Sequence, residues 1–210
     1  MPLVFVISAP SGSGKSTLVK MLLESVDGVD FSISYTTRAP RRGETNGENY
    51  RFVTRDEFLA MRDAAGLLEW AEVFGHFYGT PRAALEEARR RGHDLVLDID
   101  VQGARQLKEQ LPEAVTVFIL PPSRAELEKR LRSRSLDEDA VIRRRLRDAS
   151  REIANYSAYD YLLVNDQLDR AAEKLKAIFL AERCRRQRSE EVIQPILRSF
   201  QDDEEKGSLD

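Results

Sequence analysis

The chain has 210 residues, and its 33 Lys and Arg against 36 Asp and Glu leave a formal net charge of −3, so no global basic field marks it as a nucleic-acid binder. Hydrophobic residues make up 41% and charged residues 33%, which suits one domain, or one core with inserted subdomains, dressed in solvated helix faces. The single cysteine, Cys184, excludes an intramolecular disulfide and reads as a reduced, partly packed thiol.

In chain order, Leu3-Val4-Phe5-Val6-Ile7 is an unbroken apolar run expected to be a buried strand. It has no basic segment before it and is too short for a signal peptide or a membrane span, so a reducing cytoplasm is the expected setting. Ser8-Ala9-Pro10-Ser11-Gly12-Ser13-Gly14-Lys15-Ser16-Thr17 follows, and Leu18–Glu24 then reads as a helix. Strand, glycine loop and helix are the context of a P-loop. Backbone N–H groups in such a loop form a concave anion site, and the helix N-terminus adds partial positive charge. Lys15 can reach the β- and γ-phosphates of a nucleotide, and the Ser16 hydroxyl can ligate Mg²⁺. Ala9 stands where the strict motif has its first glycine, and a left-handed backbone there would cost on the order of 1 kcal/mol.

Further apolar runs at Leu95–Ile99, Val115–Leu120 and Tyr161–Val164 read as parallel strands, and Phe31-Ser32-Ile33-Ser34 is a candidate fifth. Helical stretches alternate with them, which predicts a three-layer α/β core. Between the first two strands lies an insert whose first half is polar and loop-rich. Leu67–Phe74 and His76–Gly79 follow as two strands joined near Gly75, then a helix from Pro81 that ends at Gly92. Capping boxes at Ser123-Arg124-Ala125-Glu126 and Ser135-Leu136-Asp137-Glu138 open two helices that form a candidate lid. A final long helix is expected from about Asp169 to Ser189, with Ala172, Leu175, Ile178 and Phe179 on one face, and the acidic tail after it reads as frayed chain. The resulting division is core 1–33, insert 34–92, core 93–123, lid 124–152, core 153–200 and acidic tail 201–210.

The run Thr36-Thr37-Arg38-Ala39-Pro40-Arg41-Arg42-Gly43-Glu44-Thr45-Asn46-Gly47-Glu48-Asn49-Tyr50-Arg51-Phe52-Val53 resembles the signature of guanylate kinases. Leu68-Glu69-Trp70, Tyr78-Gly79-Thr80, Leu97-Asp98-Ile99-Asp100 and Val164-Asn165-Asp166 match the same family, so the resemblance covers nearly the whole chain. It implies a P-loop fold with a parallel-sheet core, an inserted GMP-binding subdomain and a helical lid. It also implies phosphoryl transfer from ATP to GMP with Mg²⁺, in purine nucleotide metabolism, with dGMP as a further acceptor. ATP would lie on Ala9 through Thr17, with Arg130 near the adenine and Asn165 as a further ATP contact. GMP would lie on Ser34, Arg38, Arg41, Tyr50, Glu69, Tyr78, Gly79, Thr80, Asp98 and Asp100.

The residue types suit these tasks. Arg38 and Arg41 can grip one phosphate in the forked manner of guanidinium groups, with hydroxyls from Ser34, Tyr50 and Tyr78. A carboxylate at Glu69 can accept from guanine N1–H and N2–H together, and Thr80 can donate to O6. Adenine offers no such donor pair, so AMP would leave Glu69 unsatisfied. Thr80 could equally cap the helix after Pro81. Asp98 and Asp100 share a strand face at a sheet's carboxyl end, where ligands bind in open α/β folds; metal contact and guanine contact stay undivided between them. Arg145 flanks the apolar stripe Ile142, Leu146, Ala149 and Ile153, and Arg130 flanks Leu127 and Leu131. The resemblance selects Arg134 and Arg145 as catalytic lid arginines, acting with Lys15 and Arg41.

The attacking phosphate oxygen is already ionised, so no general base is needed, and His76 and His93 read as structural or exposed. Three alternatives are a phosphotransferase for another base or a phosphorylated sugar, a scaffold module that binds phosphopeptides with the Arg38/Arg41/Tyr50 pocket, and a nucleic-acid binder using Arg183, Arg185, Arg186 and Arg188. Glu69 with Thr80, the intact Lys15 and Ser16, and the adjacent Glu190 and Glu191 argue against each in turn. No membrane partner is expected. Monomer and homo-oligomer remain equal alternatives.

Overall fold

A computed structural model describes residues 2–41, 43–134 and 138–207, with the backbone alone for Arg134, Glu191 and 201–207. Its centre is a five-stranded parallel sheet built from β1 (Val4–Ser8), β2 (Val29–Phe31), β7 (Asp94–Asp98), β8 (Val115–Leu120) and β9 (Tyr161–Val164), in the order β2-β7-β1-β8-β9. All five residues of β1 are buried, as the central strand of a sheet covered on both faces must be. Alternation along it divides the core. Leu3, Phe5 and Ile7 pack with α1 (Lys15–Ser25) and α7 (Leu168–Arg183), where Phe5 stacks on Phe179 at 3.8 Å between ring centroids. Val4 and Val6 pack on the opposite face with Leu85 and Ala88 of α3 (Arg82–Arg91) and Ala104 and Leu107 of α4 (Val101–Gln110). The fifth strand is Val29–Phe31; Ser32 and Ser34, expected within it, lie beyond its end.

The insert forms a second sheet in the order β4-β3-β6-β5, from β3 (Tyr35–Thr36), β4 (Arg51–Phe52), β5 (Leu67–Val73) and β6 (His76–Pro81). The expected hairpin is there, turning at Phe74-Gly75, both with positive φ. The first half of the insert is not merely loop: it holds β3, β4 and α2 (Arg55–Asp63). Thr54 and Glu57 form a reciprocal capping box on α2, and its Phe58 packs with Leu67 and Phe77. Pro81 is the N-cap of α3, and Gly92, left-handed at φ 70°, ends it.

The candidate lid is α5 (Arg124–Arg134) and α6 (Asp139–Ile153). Ser123 Oγ accepts the Glu126 N–H at 3.1 Å, as the first capping box requires. Most of the second box lies outside the described residues. Leu127, Leu131, Ile142, Leu146 and Ala149 bury one another, so the stripe read from sequence is a small core of its own. The long C-terminal helix is in fact two, α7 and α8 (Arg186–Gly207), separated at Cys184 and Arg185. Cys184 is exposed rather than partly packed. The tail backbone is helical to Gly207 rather than frayed. No helix among the described residues is long and apolar enough to cross a membrane.

Candidate active site

The glycine loop leaves β1 and opens α1. Gly12 and Gly14 have φ of 94° and 88°, and Gly14 is the N-cap of α1. Ala9 has no positive φ, so the anticipated cost of alanine does not arise; its side chain packs against the core. The loop is braced from behind. Asn165 Nδ2 donates to the Ser13 carbonyl at 2.8 Å, and a Cβ on Gly14 would fall 2.4 Å from that nitrogen. Arg130 Nη2 donates to the Asn165 carbonyl at 3.0 Å, which ties α5 to the same brace. A Cβ on Gly12 would meet Leu131 at 2.9 Å.

Lys15 pairs with Asp98, at the end of the strand adjoining β1. Burial opposes the Lys15 ammonium, but Asp98 more than offsets this and holds its pKa above the usual lysine range. Asp100 does different work. It caps α4, its Oδ1 accepting the Gly103 N–H at 2.9 Å. From the lid, Arg145 Nη2 donates to Ser11 Oγ at 2.7 Å, so α6 reaches the loop directly. The side chain of Arg134 lies outside the described part of the structure. Glu152, unremarked in the sequence, stands near Lys15, and burial raises its pKa to about 7, against the pull of Lys15 and with Asp100 and Asp148 adding to it.

The insert supplies a second cluster. Arg38 Nε donates to the Tyr78 hydroxyl at 3.2 Å, and Nη1 and Nη2 donate to the two Glu44 carboxylate oxygens at 2.9 and 2.8 Å. Glu44 also accepts the Arg41 N–H at 2.7 Å. The Arg38 guanidinium holds the Glu44 carboxyl below its ordinary pKa. Glu44 stood within the signature run, but nothing in its spacing distinguished a partner of Arg38 from an exposed turn carboxylate. Tyr50 lies edge-on to Tyr78 at 5.8 Å, and Arg38 sits over the Tyr50 ring. Ser34 is buried nearby, whereas the Arg41 side chain is exposed.

Glu69 is 4% exposed, and Thr80 Oγ1 donates to its Oε1 at 2.5 Å. Thr80 therefore binds Glu69 and is not the helix cap. No cation pairs with Glu69 among the described residues. Burial pushes its pKa up to about 7; the Thr80 hydroxyl works against this and Asp100 adds to it. Gly79 is packed between Leu67 and Phe58 inside the insert, where a Cβ would lie 3.0 Å from each.

A buried, cation-free carboxylate on one sheet and a braced anion loop on the other suit a nucleotide kinase with a base-reading acceptor site. Residues 2–182 match the family described as guanylate kinase. The guanylate kinase of Koribacter versatilis is 61% identical over 186 residues, covering 87% of this chain and 80% of that protein. The chain belongs to the guanylate kinase family. The guanylate kinase of Alkalilimnicola ehrlichii is 50% identical over 197 residues, 94% of this chain and 97% of that one. A crystal structure of guanylate kinase from Anaplasma phagocytophilum superposes with a TM-score of 0.74 at 38% identity, over 89% of both chains. Membership makes the chain a kinase, a nucleotide-binding transferase of the P-loop kinase fold.

Proposed function

We propose that this guanylate kinase family chain transfers the γ-phosphoryl group of ATP to GMP, giving ADP and GDP, in the purine nucleotide metabolism of the cytoplasm. The observation that carries the acceptor assignment is the buried Glu69 with Thr80 hydrogen-bonded to it. Ionised Glu69 accepts from guanine N1–H and N2–H, and the Thr80 hydroxyl, whose one proton goes to Glu69 in the free protein, turns that proton to O6. In this reading the insert, 34–92, is the acceptor subdomain, and 124–152 is the lid.

The ATP phosphates lie on the backbone of residues 9–17, with Lys15 on the β- and γ-oxygens. Arg38, Arg41, Tyr50, Tyr78 and Ser34 hold the acceptor phosphate. Its oxygen attacks without help from a base, so catalysis rests on in-line placement and neutralised charge from Lys15, Arg41, Arg134 and Arg145. Asn165 and Arg130 support the donor side. Ser16 at the start of α1, Asp98 at the end of β7 and Asp100 at the N-cap of α4 offer oxygen donors. That donor set suits Mg²⁺, which takes one or two protein ligands and completes its shell with water and substrate phosphates. The Ser16 hydroxyl and a carboxylate of Asp98 or Asp100 would hold it, and it would neutralise charge on the ATP phosphates. Lid closure excludes water as a competing acceptor.

ADP formation from Mg-ATP, measured with GMP, AMP, UMP and CMP separately, tests this. Turnover with GMP, lost in Lys15→Ala, is expected. Equal turnover with AMP would overturn the base assignment.

A further inference from the structure

β5, which carries Glu69, is the edge strand of the insert sheet. Helix α4 of the core takes the place of the next strand. Gln106 Nε2 donates to the Trp70 carbonyl at 2.8 Å, and the Trp70 N–H donates to Gln106 Oε1 at 3.3 Å. One side-chain amide thus satisfies both backbone groups of Trp70, as a neighbouring strand would. A turn later, Gln110 Nε2 donates to the Leu68 carbonyl at 2.8 Å. A turn earlier stands Gly103. Its φ is not positive, so backbone conformation does not demand glycine there. Glycine inside a helix is less favourable than alanine by about 1 kcal/mol. What demands it is space: a Cβ would lie 2.2 Å from Glu69 Oε2 and 2.9 Å from Glu69 Cδ. Residues 103, 106 and 110 share one helix face.

We propose that this face of α4 sets base specificity: Gln106 and Gln110 fix the backbone on either side of Glu69, and the gap at Gly103 fixes where its carboxylate stands. Gly103 and Gln106 are then positioning residues for guanine recognition, an assignment that rests on the reading of Glu69 given above. Because α4 starts at Asp100, just after the Asp98 that pairs with Lys15, the base reader is keyed to the donor side of the core and not to the insert alone.

The test compares kcat/KM for GMP and for IMP, which lacks the 2-amino group, in the wild type, Glu69→Gln, Gly103→Ala and Gln106→Ala, with thermal melts of each. Glu69→Gln should abolish the preference for GMP over IMP. Gly103→Ala should cut it by roughly tenfold or more while KM for ATP stays within about twofold, and Gln106→Ala should act in the same direction less strongly. If Gly103→Ala and Gln106→Ala lose activity equally on both acceptors, or lose none, while Glu69→Gln loses the preference, α4 is merely structural and the proposal falls. If Glu69→Gln itself keeps the preference, the fault lies in the reading of Glu69, and the proposal falls with it. Should Gly103→Ala fail to fold, Gln106→Ala decides alone.

Discussion

Burial works against the charge on Glu69 in the free protein, and the guanine contact proposed for it needs that charge. With an ordinary pKa of 4.5 and a folded value of about 7, the folded chain keeps a proton between those limits that the unfolded chain has released. Below pH 4.5 both states carry the proton and the contribution of Glu69 to stability is highest; that contribution then falls as pH rises to 7, and above 7 its loss is complete. The shift corresponds to on the order of 3 kcal/mol. Glu69→Gln should therefore stabilise the unliganded protein at pH 8 by up to that amount and do little at pH 4, which denaturant melts at the two pH values would check. Affinity for GMP should rise between pH 6 and pH 8 in the wild type, more steeply than in Glu69→Gln, by isothermal titration. Glu69 was marked in the sequence only by the family signature around it, since a lone strand carboxylate ordinarily reads as exposed. Its burial was not, since alternation alone cannot say that α4 covers the face it occupies.

The elements divide by how local their causes are. β1, β7, β8, β9 and α3 announce themselves through apolar runs and through Pro81 and Gly92, and they stand where expected to within a residue or so; β2, with no such run, overlaps its expected position only at Phe31. Short strands such as Tyr35–Thr36 and Arg51–Phe52 have no run to read; they exist because β6 offers an edge to β3, and β3 in turn to β4. Helix α2, with its Thr54–Glu57 capping box, went unread because it sits in a polar stretch that masks its single buried residue, Phe58. The break at Cys184 has no glycine or proline to mark it. Two outcomes belong at this scale. Gly14→Ala must hold a left-handed backbone, costing about 1–2 kcal/mol, and must displace Asn165, so both thermal stability and ATP affinity should fall. Leu131→Ala, in the small lid core, should cost about 2–5 kcal/mol locally, seen as faster hydrogen exchange in α5 and α6.

Across the whole molecule, three contacts tie the parts together: Lys15 with Asp98 inside the core, Arg145 of α6 with Ser11 of the glycine loop, and α4 of the core with β5 of the insert. For the first, the sequence placed Asp98 at a strand's carboxyl end but did not give Lys15 as its partner. The other two depend on which faces the helices turn to one another, and no short-range pattern encodes that. Arg145→Ala removes a lid contact to the loop, so it should lower kcat by about 100-fold or more with a smaller change in KM for either substrate, measured by steady-state ADP release.

The most direct measurement of the central claim is calorimetric binding of GMP and of ATP to the wild type and to Glu69→Gln. A loss of GMP affinity of about 100-fold or more with ATP affinity unchanged is expected, because only the acceptor base meets Glu69. Equal losses for both ligands, or none for GMP, would contradict the assignment of guanine to this carboxylate.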